Sequence, residues 1–144
     1  MGFKEFLTEQ ETKVTGFITN IEKETLENNN FRKILYTGKN SQLVLMSLNP
    51  EEDIGEETHD DEDQFFRIEQ GKAKFIINEE EYEVEDDFSV IIPAGIPHNV
   101  INIGNEDLKL YTIYSPPHHK DGGVFSTKEE AEEGEEHFDG KTTE

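Results

Sequence analysis

Residues 64–103 read QFFRIEQGKAKFIINEEEYEVEDDFSVIIPAGIPHNVINI. Five runs rich in β-branched and aromatic residues lie in this stretch: Gln64–Glu69, Lys72–Ile77, Glu81–Glu85, Phe88–Ile92 and His98–Ile103. Turn residues separate them at Gln70-Gly71, Asn78-Glu79 and Pro93-Ala94-Gly95, so most connections are of hairpin length and the pairing they predict is antiparallel. Working outward, the same pattern predicts strands at Val14–Thr19, Phe31–Thr37, Gln42–Leu48 and Leu108–Tyr114. No window between residues 30 and 115 sustains a helical period. Helix candidates remain only at Ile21–Glu27 and over the acidic segment Lys128–Glu136, where Ser126 or Thr127 offers a cap and Gly134 a stop. The fold class expected is all-β, a sandwich or barrel with short terminal helical or disordered segments.

The chain has 144 residues, the size of one domain. The apolar runs divide it into a lead-in (1–30), a barrel (31–117) and an exit segment with an acidic tail (118–144). In the stretch from Lys128 to Glu144 only Ala131 and Phe138 are apolar, and a solvated tail is expected there. Asp and Glu number 34 against 13 Lys and Arg, a formal charge of −21 that repels nucleic-acid phosphates and anionic lipid headgroups. Nucleic acid and membrane are therefore excluded as default partners. No cysteine is present, which rules out disulfides, thiolate catalysis and thiolate-held metals. The opening MGFKEFL lacks the apolar core of a signal peptide or membrane span, and a soluble, cytoplasmic protein is expected.

Of the five histidines, two stand beside strand ends. His59 lies in a stretch with nine acids between Glu51 and Asp63, and His98 follows Pro93-Ala94-Gly95-Ile96-Pro97. Each has an ordinary reading: a polar residue at a strand end, or a protonated imidazole in an acidic loop. The acidic run lacks the ligand spacing and turn glycine of an EF-hand, so it is not read as a calcium site. His118 and His119 follow Pro116-Pro117, which end the last strand, and are expected to be an exposed pair with modest metal affinity; the alternative is that they reach over a barrel mouth as acid–base groups. His137 is assigned no role.

The two stretches resemble the paired motifs of the cupin family, G-x5-H-x-H-x3-4-E-x6-G and G-x5-P-x-G-x2-H-x3-N. Counting back from Gly71 puts Gln64 in the glutamate slot, His59 in the second histidine slot, Glu57 in the first and Glu51 in the opening glycine slot. The second motif takes Asp87, Pro93, Gly95, His98 and Asn102. The resemblance implies a cupin-type jelly-roll barrel, a homodimer, and a metal held by Glu57, His59, Gln64 and His98. Four slots depart from the pattern. The two glycine slots are turn positions, where Glu51 and Asp87 can serve if the backbone stays at negative φ. In the ligand slots the set becomes two imidazoles, a carboxylate and an amide. That set keeps one formal negative charge and suits Fe, Mn, Ni or Zn as a divalent ion, with a weaker hold than the unmodified set. Strand alternation with Gln64 and His98 turned inward predicts Phe66, Ile68, Val100 and Asn102 as pocket walls. Which face of Leu108–Tyr114 looks inward is left open.

Small cupins of this layout resemble the mannose-6-phosphate isomerase-like members, which implies a bound ion polarising an oxygen of a small-molecule ligand. Isomerisation also needs a proton carrier, for which no residue stands out, and a phosphate clamp, for which only Arg32, Lys33 and Arg67 are available. Two alternatives accompany this reading: an iron-dependent oxygenase, and a non-catalytic module that binds a metal or small molecule.

Overall fold

The computed structural model describes residues 14–144. Its strands are β1 (Arg32–Thr37), β2 (Gln42–Leu48), β3 (Asp63–Gln70), β4 (Lys72–Ile77), β5 (Glu80–Glu85), β6 (Ser89–Ile92), β7 (His98–Asn102), β8 (Leu108–Ser115) and β9 (Val124–Phe125). Helices α1 (Ile21–Glu27) and α2 (Lys128–Glu133) flank them. The strands form a six-stranded sheet in the order β6-β3-β8-β2-β1-β9 and a three-stranded sheet in the order β5-β4-β7, with antiparallel pairing throughout. This is the all-β antiparallel class that the alternating runs predict, and the short hairpin turns are its cause.

Two elements differ from expectation. Residues 14–19 form no strand: Gly16 turns to φ 87°, which breaks the extended run, and Ile18 stands 98% exposed. β9 was not predicted, because two residues are too few to show alternation. It exists through its register with β1, Arg32 opposite Phe125 and Lys33 opposite Val124.

The core fills the space between the sheets with Val44, Met46 and Leu48 from β2, Phe66 and Ile68 from β3, Phe75 from β4, Val100 from β7, and Leu108 and Leu110 from β8. On β8 the inward face is Leu108, Leu110, Thr112 and Tyr114. Lys109, on the opposite face, is covered by the end of α1, where its Nζ donates to the Asn28 carbonyl at 2.5 Å and to Asn29 Oδ1 at 2.9 Å.

The acidic stretch after β2 positions the site. It runs antiparallel beside β7 and extends the small sheet, with bridges from Asp53 to Ile101 and from Glu57 to His98. Glu57 N donates to the His98 carbonyl at 2.8 Å, and His98 N donates to the Glu57 carbonyl at 2.9 Å. The condition of negative φ at the two replaced glycine slots is not met: Glu51 has φ 73° and Asp87 φ 72°. Sheet hydrogen bonds hold both in the left-handed region, Glu51 N donating to the Asn102 carbonyl and Asp87 N to the Ile68 carbonyl.

Beyond β8 the chain returns across the open end of the barrel. The buried Gln42 amide anchors it, donating from Nε2 to the His119 carbonyl at 2.7 Å and accepting at Oε1 from the backbone N–H groups of His118 and His119. α2 begins where Thr127 Oγ1 accepts from Glu130 N, and it buries Ala131 against the core while Lys128 Nζ meets Asp53 Oδ1 at 2.6 Å. Most side chains of residues 128–144 are exposed, as their composition leads one to expect. Their backbone is nevertheless tied down: Phe138 N donates to the His118 carbonyl, Thr143 N to the Thr37 carbonyl, and the Glu144 carboxylate accepts from Tyr36 Oη at 2.7 Å. The bonds from Tyr36 and Thr15 hold the Glu144 carboxyl down at about 2. Among the described residues no helix is long and apolar enough to cross a membrane.

Candidate metal centre

Glu57 and His59 come from the acidic stretch, Gln64 from the inward face of β3 and His98 from the start of β7. Three long-range pairings bring them together: the stretch with β7, β7 with β4, and β3 with β8. Ligating atoms of Glu57, His59 and His98 lie within 4.8 Å of one another, and Gln64 Oε1 lies 3.1 Å from His98 Nε2. His59, Gln64 and His98 are buried, and Glu57 is partly buried.

The direction of the lone pairs decides whether this set suits a cation. His98 Nδ1 sits 3.0 Å from the Ile96 carbonyl, which only accepts. In the neutral ring the proton is therefore on Nδ1, and Nε2 turns its lone pair toward Gln64 Oε1. Gln64 Nε2 donates to Thr112 Oγ1 at 3.0 Å, which aims the amide oxygen the other way, into the site. His59 Nε2 lies 2.8 Å from Glu57 Oε2, an ion pair when the ring carries both protons. Its Nδ1 is 3.7 Å from Glu62 Oε1, beyond hydrogen-bond reach, and that oxygen bonds His118 Nδ1 at 2.7 Å instead. Four ligating groups thus converge on one small gap. Metal bonds of about 2.1 Å fit such spacings. The residues present fit a divalent ion.

Charge favours the same outcome. Burial raises the Glu57 carboxyl, but the His59 hydrogen bond and the charges of His59, Arg32 and His98 outweigh it, and the net pKa is below the ordinary value. Burial lowers His98, only partly offset by the Ile96 carbonyl, which favours the neutral form that ligates.

The other predicted residues fall elsewhere. Phe66, Ile68 and Val100 are packed core, with the Phe66 ring centroid 6.1 Å from that of His98. Asn102 sits at the far end of β7, its amide spent on the Leu48 and Glu106 carbonyls and on Gly104 N. The cleft that opens on Glu57 and His59, about 350 Å³, is walled instead by Phe31, Arg32, Ile54 and His118, with α2 along one side. The expectation of an exposed His118-His119 pair is corrected: His119 is 5% exposed, and His118 is half-buried with Nδ1 2.7 Å from Glu62 Oε1. Burial lowers both imidazoles, His119 to about 2. His118 stacks on Tyr114, lies 4.4 Å from His59 between ring centroids and 5.6 Å from His137, so all five histidines form one chain of contacts. Sequence reasoning missed Glu62 as a neighbour of the site, its only signal being its place three residues after His59, whereas His118 takes the position of the alternative reading, over the barrel mouth.

A cupin-domain family profile matches residues 44–114. An uncharacterised protein of Bacillus subtilis, YrkC, is 50% identical over 122 residues, covering 80% of this chain; the chain spans 65% of that protein's length. An uncharacterised protein of Acanthamoeba polyphaga mimivirus, L612, is 43% identical over 112 residues, covering 75% of this chain and 70% of its own. The crystal structure of BH2720 from Bacillus halodurans superposes with a TM-score of 0.81 at 43% identity, covering 85% of this chain and 98% of that one. Two antiparallel sheets, a His/Glu cluster at their open end and these similarities lead to one conclusion: this chain belongs to the cupin family.

Proposed function

We propose that the protein binds one divalent metal ion through Glu57, His59, Gln64 and His98 and acts on a small oxygen-bearing ligand admitted by the neighbouring cleft. The observation that carries this reading is the convergence of four ligating groups on one gap, the Nε2 atoms of His59 and His98, the Glu57 carboxylate and the Gln64 amide oxygen, with His98 held from behind by the Ile96 carbonyl and Gln64 by Thr112. A bound divalent ion supplies Lewis-acid polarisation of a ligand oxygen. The Glu62–His118 pair, 2.7 Å apart at the cleft, is placed to hold and move a proton, which supports isomerase-like chemistry. The reading includes a homodimer, supported by the family likeness and by exposed Ile91 on edge strand β6.

Protein purified without a histidine tag and titrated with Mn(II), Fe(II), Ni(II) and Zn(II) should take up one equivalent, measured by elemental analysis and calorimetry. His98→Ala should lose that equivalent while keeping its far-UV circular dichroism, and His118→Ala should keep it. A wild-type protein with no affinity for any of the four ions, or a His98→Ala protein that binds as well, overturns the metal assignment. Absence of aldose–ketose interconversion on a panel of sugar phosphates by the loaded protein overturns the isomerase part. A monomer at every concentration in sedimentation overturns the dimer.

A further inference from the structure

The protein has two arginines, and they differ in ion pairing. Arg67 is partly exposed between two acids, with Nε 3.4 Å from Glu69 and a terminal nitrogen 3.1 Å from Asp87, although its Nε, like that of Arg32, makes no hydrogen bond among the described residues. Arg32 is 6% exposed and has no ion pair among the described residues, and its Nε has no hydrogen-bond partner there either. In a chain with 34 acidic residues, a buried guanidinium with no ion pair among the described residues is the exception, its charge reaching the Glu57 carboxylate only through space. A buried charge is ordinarily paired, because the loss of hydration is otherwise uncompensated.

Its position follows from strand alternation. On β1, Arg32 and Ile34 are buried on one face while Lys33 between them is only partly covered. Arg32 is the first residue of the strand, at the same open end of the barrel as the metal cluster, and it lines the cleft that Glu57, His59 and His118 also line. It lines a second, smaller cavity as well, of about 190 Å³, beside His119 and Glu135. The Phe31 ring, 5.5 Å from the guanidinium carbon, covers it in part without neutralising it. The other cation of the cleft, Lys128, is already paired with Asp53. The carboxylates of Glu56, Glu132 and Glu135 line the cleft from exposed positions at its rim, where they disfavour large polyanions.

We propose that Arg32 is the anion-binding residue of this cleft, and that the ligand is a small organic oxyanion, a carboxylate or phosphate, whose charged group meets the guanidinium while another of its oxygens faces the Glu57, His59, Gln64 and His98 set. The planar fork of donors suits two oxygens of one such group. The second contact rests on the metal reading given above; the first does not. A neutral sugar leaves the arginine unpaired and is disfavoured.

Nitrogen-15 spectra of the two arginine Nε–H groups test this directly, with Arg67 as internal control. Malonate, inorganic phosphate and glucose are titrated into metal-free and zinc-loaded protein. The Arg32 resonance should move saturably with malonate or phosphate at concentrations on the order of 10 mM or below. Arg67 should stay still and glucose should have no effect. Whichever of malonate and phosphate binds more tightly names the source of the charge. Arg32→Gln should weaken binding at least tenfold while taking up the same metal equivalent. No saturable shift at Arg32 in either form, or an Arg32→Gln protein of unaltered fold that binds the anion equally well, overturns the proposal. Metal uptake with a silent Arg32 removes the anion site alone, whereas an anion response without metal uptake sustains the anion site and removes the metal reading.

Discussion

Gln64 carries an amide where the family pattern has a carboxylate, and its two ends do different work: Nε2 holds Thr112 and Oε1 faces His98. Gln64→Glu therefore has effects of opposite sign in the two states of the site. Without metal it sets a second buried carboxylate near Glu57 and forfeits the donation to Thr112, so the melting temperature should fall. With metal it adds a charged ligand, and affinity should rise about tenfold, or ~1.4 kcal/mol, by calorimetry. Glu51 gives a second residue-level prediction. Its φ of 73° costs an L-residue about 1–2 kcal/mol, and a glycine there forgoes about 0.4–1 kcal/mol through the freer unfolded chain. Glu51→Gly should thus stabilise the protein by roughly 0.5–1 kcal/mol in urea unfolding. The residue types at positions 51 and 87 told nothing of this, because the left-handed turn is imposed by hydrogen bonds to β7 and β3, far away in sequence.

At the scale of elements, alternation and turn chemistry made most strands and both helices legible, since each needs only its own residues to declare its period. The return of the chain over the barrel mouth was legible only as an alternative. It depends on one buried amide, Gln42, meeting the backbone of residues 118 and 119, and no local pattern announces that meeting. The returned segment carries a pH dependence. Burial, aided by the charges of Arg32 and His118, lowers the His119 imidazole from 6.5 to about 2, so between those values the unfolded chain binds a proton that the folded one excludes. The contribution of neutral His119 is therefore complete above about pH 6.5 and is lost progressively as pH falls below it. In metal-free protein, melting temperature should drop more steeply between about pH 7 and pH 5 for wild type than for His119→Gln. Parallel slopes would show that His119 charges freely in the fold.

For the molecule as a whole, the −21 formal charge is spread over a fold whose carboxylates far outnumber their partners. Self-repulsion of this kind is screened as the Debye length shrinks from about 30 Å at 0.01 M salt to about 8 Å at 0.15 M. The melting temperature of metal-free protein should rise over that range, and the gain should level off beyond it. An unchanged value would mean that the surface acids are already compensated locally. Composition determined this charge, and periodicity together with turn residues determined the antiparallel all-β class, because both are properties of neighbouring residues along the chain. Motif spacing pointed to Glu57, His59, Gln64 and His98. Only the tertiary structure decided that their ligating atoms converge on one gap, that Glu62 and His118 stand beside them, that Asn102 is turned to the far end of β7, and that Arg32 enters the same cleft with no ion pair among the described residues. Those facts depend on which distant strands pair and in what register, and a one-residue slip in any of them would turn the same side chains to the other face.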